Sequence, residues 1–281
     1  MPTIAEVYFQ SLNEGKDKGV LSSDLRVLIA FCMGFREPID TLLHRDEEMR
    51  NFEQFQAGFA RLMQGEPVEY IIKEARFLEY RLHVDNRVLI PRMETQELIA
   101  NITEKIYDYY DPRNFLVVAD IGTGSGAIAI ALKHLFPNWL LTASDISQDA
   151  LDVAKMNIEK SGLSVRTLKG DALEPFIDQR MNLDIIVSNP PYILNREEAQ
   201  PSVSAYEPGS ALWLDKDHSV YESIFRDYKK VKKGTLLMCF EIGYDLEDYL
   251  KGLMARYLED YDYEFLPDLN GLTRFLFVFC K

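Results

Sequence analysis

The chain has few of the residues that mark secreted, metal-binding or membrane-spanning proteins. Its 281 residues include three cysteines, Cys32, Cys239 and Cys280. Because they are odd in number and widely spaced, they indicate neither a disulfide framework nor a cysteine-rich metal site. No apolar run is long enough to cross a bilayer, and the first residues lack the basic start and apolar core of a signal peptide. We therefore expect a cytoplasmic protein with reduced thiols and no bound metal.

Positive charge is scarce as well. The chain has 31 lysine and arginine residues against 45 aspartate and glutamate residues, which gives a formal net charge of −14 at pH 7. Proteins that bind a nucleic-acid backbone neutralise its phosphates with a basic surface. The densest basic cluster, at residues 229–233, falls at a predicted helix end, where cations complement the helix dipole. We expect a protein or small-molecule substrate, no direct nucleic-acid partner, no membrane partner and a monomeric chain.

The chain up to Gly65 shows helical periodicity and no strand pattern. Its apolar stripes are Ile4, Val7, Tyr8 and Leu12, and then Phe52, Phe55, Phe59 and Leu62. Gly65 and Pro67 end the second stripe, as is common at a helix C-terminus. We expect residues 1–75 to form a small all-α domain.

Residues 76–90 alternate apolar and polar side chains. Leu82 and Val84 come before Asp85-Asn86, and Val88 follows, which predicts a β-hairpin with its turn at 85–86. We expect this hairpin to link the helical domain to a second domain at residues 91–281.

In the second domain, strands alternate with helices, which is typical of a parallel sheet covered by helices on both faces. The predicted strands are Phe115–Ile121, Trp139–Ser144, Val165–Lys169, Leu183–Ser188, Thr235–Glu241, Tyr261–Leu266 and Arg274–Cys280. The last two flank a turn at 268–271 and are expected to pair antiparallel. The sequence therefore predicts an α/β, Rossmann-like fold with a mostly parallel sheet, an antiparallel C-terminal strand pair, a helical N-terminal domain and a hairpin linker.

A glycine-rich turn follows the first strand of this sheet. Gly122, Gly124 and Gly126 have the spacing G-x-G-x-G, not the G-x-G-x-x-G of dinucleotide sites. Glycine lets the backbone approach a ligand closely because no Cβ intervenes. Without the glycine at the pyrophosphate spacing, the turn favours S-adenosylmethionine, which carries no phosphate, over a nicotinamide dinucleotide.

Three aspartates lie at the ends of the first three strands. Asp145 stands about 20 residues after the glycines, where an acidic side chain accepts ribose hydroxyls; its alternative role is to cap the next helix. Asp171, beside Ala172, is placed to meet the adenine edge, or is a plain loop residue. Asp120 either faces the ammonium group of the cofactor or orders the glycine turn.

The fourth strand ends in Asn189-Pro190-Pro191-Tyr192. Ligands bind beyond the carboxyl ends of the strands in open α/β sheets. Two consecutive prolines stiffen the turn and leave carbonyls without competing backbone donors. A stiff turn with a side-chain amide and accepting carbonyls suits a substrate NH2 group, which brings two donors. Asn-Pro-Pro is also a common strand terminator, and taken alone it would not indicate a binding site. The glycine-rich turn upstream is a second candidate ligand site, and together the two favour a binding site here.

Taken together, these segments resemble the HemK-like protein-(glutamine-N5) methyltransferases, which methylate peptide-chain release factors. The resemblance rests on residues 121–129, 145–147 and 187–193, and flanking segments at 65–71, 89–95, 206–212, 241–244 and 268–271 agree. It is weakest in the first sixty or so residues. The chain departs from the family pattern at Met93, where a proline is usual, and at 213–215, where a glycine pair is usual; these departures concern loop shape.

The resemblance implies a class I S-adenosylmethionine-dependent methyltransferase that modifies the glutamine of a Gly-Gly-Gln motif, with the helical domain recognising the release factor. It implies that Asn189, Pro190 and Tyr192 are catalytic, that Pro191 joins them in binding substrate, and that Tyr192 packs over the glutamine. The cofactor-binding residues that it implies are Asp120, Gly122, Thr123, Gly124, Ser125, Gly126, Asp145, Ile146, Asp171, Ala172 and Asn189.

Three alternatives remain at this stage. The same Asn-Pro-Pro-Tyr turn occurs in adenine-N6 DNA methyltransferases, where a flipped base presents its amine, although the charge of −14 argues against DNA. A sibling enzyme would methylate a glutamine of a ribosomal protein. A cofactor-binding assembly factor without catalysis would have no need of Asn189. The four histidines, at 44, 83, 134 and 218, are scattered singly and indicate no general base.

Overall fold

Helices alone make up the N-terminal part of the chain. In a computed structural model that describes residues 1–195, 197 and 200–281, one compact unit comprises Met1–Glu74 and Gln200–Tyr206, and a second comprises Ala75–Ala199 and Glu207–Lys281. The helices of the first unit are α1 (Ile4–Gly15), α2 (Ser22–Met33), α3 (Asp40–Leu43), α4 (Phe52–Leu62), α5 (Val68–Ile72) and, from much later in the chain, α10 (Pro201–Tyr206).

The predicted apolar stripes form the core of the first unit. Ile4, Leu25, Leu28 and Phe55 are almost completely buried there. α1 begins at a side-chain cap, since Thr3 and Glu6 form a reciprocal capping box at its start. The hydroxyl of Tyr206 in α10 donates to the carbonyl of Gln64 at 3.1 Å, which fastens this late segment to the unit.

The second unit begins with a short hairpin, β1 (Ala75–Phe77) and β2 (Tyr80–Leu82). A hairpin is predicted within residues 76–90, and one is present, but its strands pair around a turn at 78–79. The turn predicted at 85–86 is wrong as a hairpin turn, because residues 83–90 are not paired strands. The turn at Asp85 does form, but its carboxylate accepts from the Arg87 backbone N–H at 3.1 Å and from the Arg87 guanidinium. The alternation there reflects alternating burial along an irregular segment. Residues 76–90, expected to form a linker, belong to the second unit.

A seven-stranded sheet forms the centre of the second unit, with the strand order β5-β4-β3-β6-β7-β9-β8. Its strands are β3 (Val117–Ile121), β4 (Leu140–Asp145), β5 (Arg166–Lys169), β6 (Leu183–Ser188), β7 (Lys232–Glu241), β8 (Tyr261–Pro267) and β9 (Thr273–Cys280). The first five are parallel, β9 runs antiparallel to β7, and β8 runs antiparallel to β9. The predicted α/β fold with an antiparallel C-terminal pair is confirmed.

Helices cover both faces of this sheet. The bounds are α6 (Met93–Tyr109), α7 (Ala127–Leu135), α8 (Gln148–Ser161), α9 (Glu174–Asp178), α11 (Val220–Asp227) and α12 (Glu247–Tyr257). Apolar side chains of α6, α7 and α8 form one core layer, and those of α9, α11 and α12 form the other. The direction of strand order reverses between β3 and β6, and such a switch point opens a crevice at the carboxyl ends of the strands. Within the described residues, no helix combines the length and apolarity needed to span a membrane.

Candidate active site

A cavity opens at the carboxyl ends of β3, β4, β5 and β6, within the second unit. It encloses about 1030 Å³ of space between its walls, counting its open mouth. Its walls include the glycine turn, residues 145–147, residues 170–172, residues 188–191, Thr95 and Pro208. The structure thus brings together residues that the sequence analysis selected from four separate strand ends.

The glycine turn is open on the side that faces the cavity. Gly122 and Gly124 have φ angles of 70° and 55°, and a Cβ built on either would meet no protein atom within 4 Å. Gly126 differs, since a Cβ there would lie 3.4 Å from Ala154 of α8. The first two glycines therefore leave bare backbone for a ligand, whereas the third permits close packing of α7 on α8.

Asp145 braces this turn from the neighbouring strand. One carboxylate oxygen accepts from the Gly124 backbone N–H at 3.0 Å, and the other accepts from the Ser147 N–H at 2.9 Å. Burial raises the pKa of Asp145, and these backbone hydrogen bonds oppose that rise. The helix cap of α8 is Ser147, whose hydroxyl accepts from the Ala150 N–H at 3.2 Å. Asp145 is thus not the capping residue, and its carboxylate lines the cavity.

Asp120 lies beneath the turn, fully buried, and not among the residues of the cavity wall. Its Oδ2 accepts from the Thr123 hydroxyl at 2.6 Å and from the Ala129 N–H in the first turn of α7 at 3.1 Å. Its Oδ1 has no hydrogen-bond partner among the described residues. Burial raises the pKa of Asp120 to about 7. From the sequence, Asp120 is expected either to face the ammonium group of the cofactor or to order the glycine turn. Its hydrogen bonds match the second role.

Asp171 and Ala172 form the cavity wall at the end of β5. The Asp171 side chain is exposed, whereas Ala172 is buried and has a φ of 41°. A positive φ is uncommon for a residue with a Cβ. The Gly170 N–H donates to the Asp145 carbonyl at 3.1 Å, so this loop is tied to the end of β4 beside it.

Asn189, Pro190 and Pro191 line the same cavity as the glycine turn. The Ser188 hydroxyl donates to the Ile121 carbonyl at 2.7 Å and so joins the ends of β6 and β3. The Asn189 side-chain NH2 donates to the Thr95 hydroxyl oxygen at 3.1 Å. This bond uses the amide nitrogen and directs the amide oxygen away from Thr95.

Tyr192 is not among the cavity-lining residues. Its hydroxyl donates to Glu241 at 3.2 Å, and its ring lies 5.9 Å from the Arg274 guanidinium carbon. Burial and the negative charge of Glu241 raise the pKa of Tyr192. Asp120, Gly126 and Tyr192 are thus not part of the cavity wall. The other residues selected from sequence, in the glycine turn, at the ends of β4 and β5 and in the Asn-Pro-Pro segment, all line the cavity.

Thr95 and Glu241 were not selected from the sequence as site residues. The Thr95 hydroxyl donates to the Glu241 carboxylate at 2.7 Å, and both side chains are buried. Burial raises the pKa of Glu241 to about 7, opposed by its hydrogen bonds from Thr95 and Tyr192. A sequence signal existed, since a glutamate ends an otherwise apolar central strand, where a charged residue is rarely buried unless it is paired.

Glu207 and Arg92 are a second pair that the sequence analysis missed. The Glu207 carboxylate accepts from the buried Ile90 backbone N–H at 3.1 Å and forms a short ion pair with the Arg92 guanidinium. Pro91 and Pro208, their neighbours in sequence, both line the cavity. The pair thus fixes two wall segments that are distant in sequence.

Comparison with known proteins gives matches over most of the chain. Residues 95–205 match the family described as Methyltransferase small domain, and residues 16–72 match the PrmC N-terminal domain. The release factor glutamine methyltransferase of Staphylococcus aureus is 34% identical over 83% of this chain and 82% of its own length. The enzyme of the same name from Bacillus subtilis is 40% identical over 75% of this chain and 74% of its own length.

A solved structure shares much of the fold of this chain at low sequence identity. The hMettl16 catalytic domain, crystallised with the MAT2A 3'UTR hairpin 6, superimposes with a TM-score of 0.53. It is 18% identical and the match covers 71% of this chain and 74% of that one. At this identity the likeness concerns the fold alone.

Proposed function

This chain belongs to the family of release factor glutamine methyltransferases, and we propose that it methylates the side-chain amide nitrogen, N5, of the glutamine in a release factor's Gly-Gly-Gln motif. S-Adenosylmethionine is the methyl donor. The observation that carries the proposal is the position of Asn189, Pro190 and Pro191 in the same cavity as the glycine turn and Asp145. The residues proposed to bind the substrate amide and those proposed to bind the methyl donor thus line the same cavity.

The cavity fits S-adenosylmethionine, which supplies an electrophilic methyl group on its sulfonium when bound. Backbone at Gly122 and Gly124 is open to the cavity, and the turn lacks the glycine spacing of pyrophosphate sites. We assign the ribose hydroxyls to Asp145, whose oxygens each retain accepting capacity after their backbone bonds. Asp171 and Ala172 are assigned to the adenine edge.

Residues of the turn between Gly122 and Gly126, and Ile146 after Asp145, complete the proposed cofactor site. Thr123 and Ser125 line the cavity between the glycines, and Ile146 lines it while remaining 62% exposed. Asp120 acts on this site from below, through its bonds to Thr123 and Ala129. We propose that it holds the turn in shape.

The proposed role of Asn189 follows from the chemistry of an amide nitrogen, which is a poor nucleophile because its lone pair is delocalised. The Asn189 amide oxygen and the Pro190 carbonyl would accept the two N–H groups of the substrate amide. Such a grip aims the lone pair at the methyl carbon, and positioning reacting atoms can lower a barrier by roughly 7–11 kcal/mol in favourable cases. None of the four histidines lines the cavity, so none is placed to act as a general base. We expect the amide proton to leave to water or a backbone carbonyl after transfer.

The acceptor can be identified by comparing four substrates. Labelled S-adenosylmethionine is incubated with the enzyme and a purified release factor, its variant with alanine in place of the motif glutamine, or duplex DNA. We expect label on the intact factor alone. Label on the alanine variant would move the modified residue elsewhere in the factor, and label on DNA would favour the adenine reaction instead. A ribosomal-protein fraction, as a fourth substrate, tests the sibling reaction.

Substitution of Asn189 by alanine tests the proposed grip. We expect kcat/KM to fall roughly 100- to 1,000-fold, the usual cost of removing one preorganised hydrogen-bonding group at a reacting centre. Affinity for S-adenosylmethionine, measured by calorimetry, should stay nearly unchanged. Asn138→Ala is the matched control, because Asn138 is exposed in the turn before the amino end of β4, away from the cavity. An Asn189→Ala enzyme with normal turnover would remove Asn189 from the reaction.

The helical unit is the proposed recognition surface for the release factor. It carries large apolar side chains that face solvent, among them Phe9 at 62% and Leu43 at 75% exposure, and such side chains mark interaction sites when they cluster. We further propose a monomeric enzyme of the cytoplasm with no nucleic-acid partner. The net charge of −14 and three buried, unpaired cysteines support this. Light scattering of the purified enzyme checks the monomer.

A further inference from the structure

A continuous path of hydrogen bonds leads away from the cavity behind Asn189. The Asn189 NH2 donates to the Thr95 oxygen at 3.1 Å, and the Thr95 hydroxyl donates to Glu241 Oε2 at 2.7 Å. The other carboxylate oxygen, Oε1, accepts from the Tyr192 hydroxyl at 3.2 Å. Thr95 and Glu241 are buried, so water does not compete for these bonds.

The direction of each bond in this path is dictated by the carboxylate. An ionised glutamate can only accept, so both the Thr95 and the Tyr192 hydroxyls must donate to it. Thr95 has a single hydrogen, and once this points at Glu241 its oxygen can only accept from Asn189. The amide of Asn189 must therefore turn its nitrogen to Thr95 and its oxygen away from Thr95. An amide that rotated by half a turn would present its NH2 to the substrate and repel the substrate's own donors.

We propose that Thr95 and Glu241 are positioning residues that hold the Asn189 amide in the one orientation that presents its oxygen to the substrate amide. The inference rests on the proposed role of Asn189 and deepens it. Neither residue touches the reacting atoms; each acts through the next bond in the path.

The surroundings of Glu241 add a dependence on pH. Glu94 on α6 and Arg274 on β9 act on it electrostatically, the Tyr192 hydroxyl bonds to its carboxylate, and the Tyr221 hydroxyl of α11 donates to its backbone carbonyl at 2.8 Å. Desolvation outweighs these contacts and raises the pKa of Glu241 to about 7.

A protonated Glu241 reverses the path. When it donates its proton to Thr95, the Thr95 hydroxyl turns its own hydrogen toward Asn189, whose oxygen must then face inward. The accepting oxygen is lost to the substrate. The value of kcat should therefore fall as the pH drops through about 7 and reach its maximum above that pH, because the ionised form of Glu241 is the one that orients the amide.

The test compares Thr95→Val, which keeps the shape and removes the hydroxyl, with Thr95→Ser, which keeps the hydroxyl. We expect Thr95→Val to lower kcat roughly 10- to 100-fold, the equivalent of one lost hydrogen bond in a charge-assisted path, while the affinity for S-adenosylmethionine stays near that of the wild type. Thr95→Ser should recover most of the turnover. A Thr95→Val enzyme with wild-type kcat, or a Thr95→Ser enzyme as slow as Thr95→Val, would overturn the inference.

The pH profile of kcat separates positioning from simple packing. The wild-type enzyme should show an acid limb near pH 7, and both Thr95→Val and Glu241→Gln should lose it, since the first breaks the path and the second cannot titrate. A wild-type profile that is flat between about pH 6 and 8, or an acid limb that persists in both variants, would contradict the proposal. Because the wild-type profile is measured on the unmodified enzyme, it tests the proposal even if a variant fails to fold.

Asn189→Ala, assayed beside these variants, separates a failure of the proposed role of Asn189 from a failure of the positioning role of Thr95 and Glu241. If Asn189→Ala turns over normally, the proposed function of Asn189 falls and this inference falls with it. If Asn189→Ala is slow and Thr95→Val is not, the grip on the substrate stands and only the positioning role is lost.

Discussion

At the scale of single residues, the Asp145 carboxylate holds two segments of the cavity edge together, and we propose that it also binds the cofactor. Its two oxygens accept from Gly124 and Ser147 across the cavity edge, which couples the end of β4 to the glycine turn. Each oxygen keeps a further lone pair for a ligand hydroxyl. Burial raises the pKa of Asp145, yet the bonds from backbone N–H groups favour the ionised form, which in our proposal accepts the ribose hydroxyls.

Replacing Asp145 by alanine should weaken S-adenosylmethionine binding by at least about tenfold, because two charge-assisted hydrogen bonds to the ribose are lost. Calorimetric titration measures the Kd, and the thermal midpoint reports how far the turn itself loosens. Asp178→Ala serves as control, since Asp178 is exposed on α9 and outside the cavity wall. Unchanged affinity in Asp145→Ala would remove Asp145 from the ribose.

At the scale of secondary-structure elements, the cavity wall depends on segments that lie between helices and strands. Glu207, with a side-chain exposure of 1%, accepts from Ile90 and pairs with Arg92, which is 31% exposed. The two segments are 115 residues apart in sequence at this contact. Their prolines, 91 and 208, stiffen them, so one buried carboxylate suffices to hold both in place.

Glu207→Ala should reduce the free energy of unfolding by about 1–3 kcal/mol, since the buried Ile90 N–H loses its acceptor. Arg92 retains contact with water, which keeps the loss below that of a fully buried broken pair. Urea unfolding measures the change. We expect Glu159→Ala, on the exposed face of α8, to cost less; equal losses in the two variants would show that Glu207 adds no more than a surface contact.

At the scale of the whole molecule, two carboxyl groups are buried at the centre of the second unit. Burial raises the pKa values of Asp120 and Glu241 to about 7, from 3.8 and 4.5. At pH values between the ordinary and the raised pKa, the two carboxyl groups are still protonated in the folded chain but already ionised in the unfolded chain. The free energy of unfolding must therefore fall as the pH rises from about 4 to about 7, and level off above. The ionised Glu241 that orients Asn189 is thus obtained at the expense of stability.

We expect the wild-type protein to be more stable at about pH 5.5 than at about pH 8, by on the order of 4 kcal/mol, roughly 2 kcal/mol from each carboxyl group. Glu241→Gln should reduce this difference, because glutamine does not titrate. Urea unfolding followed by the fluorescence of buried Trp139 measures it. Stability that rises with pH across this range in the wild type would mean that these carboxyl groups ionise with ordinary pKa values.

The sequence by itself determined the alternation of strands and helices, the antiparallel C-terminal pair and the chemistry of the glycine and Asn-Pro-Pro turns. These are local signals, because side-chain periodicity, glycine freedom and proline stiffness act over a few residues. The same locality explains the misplaced hairpin: alternation at 82–90 reports burial, and burial also alternates along an irregular segment packed on a core.

Only the tertiary structure decided which side chains behind these turns act on them. Thr95 reaches Asn189 across 94 residues, and Glu241 reaches Thr95 across 146. It also decided that Asp120 and Tyr192 stand behind the cavity wall. No periodicity or motif specifies such pairs, because their contacts arise when the sheet and its covering helices pack, and burial then sets both the hydrogen-bond partners and the pKa values of the groups enclosed.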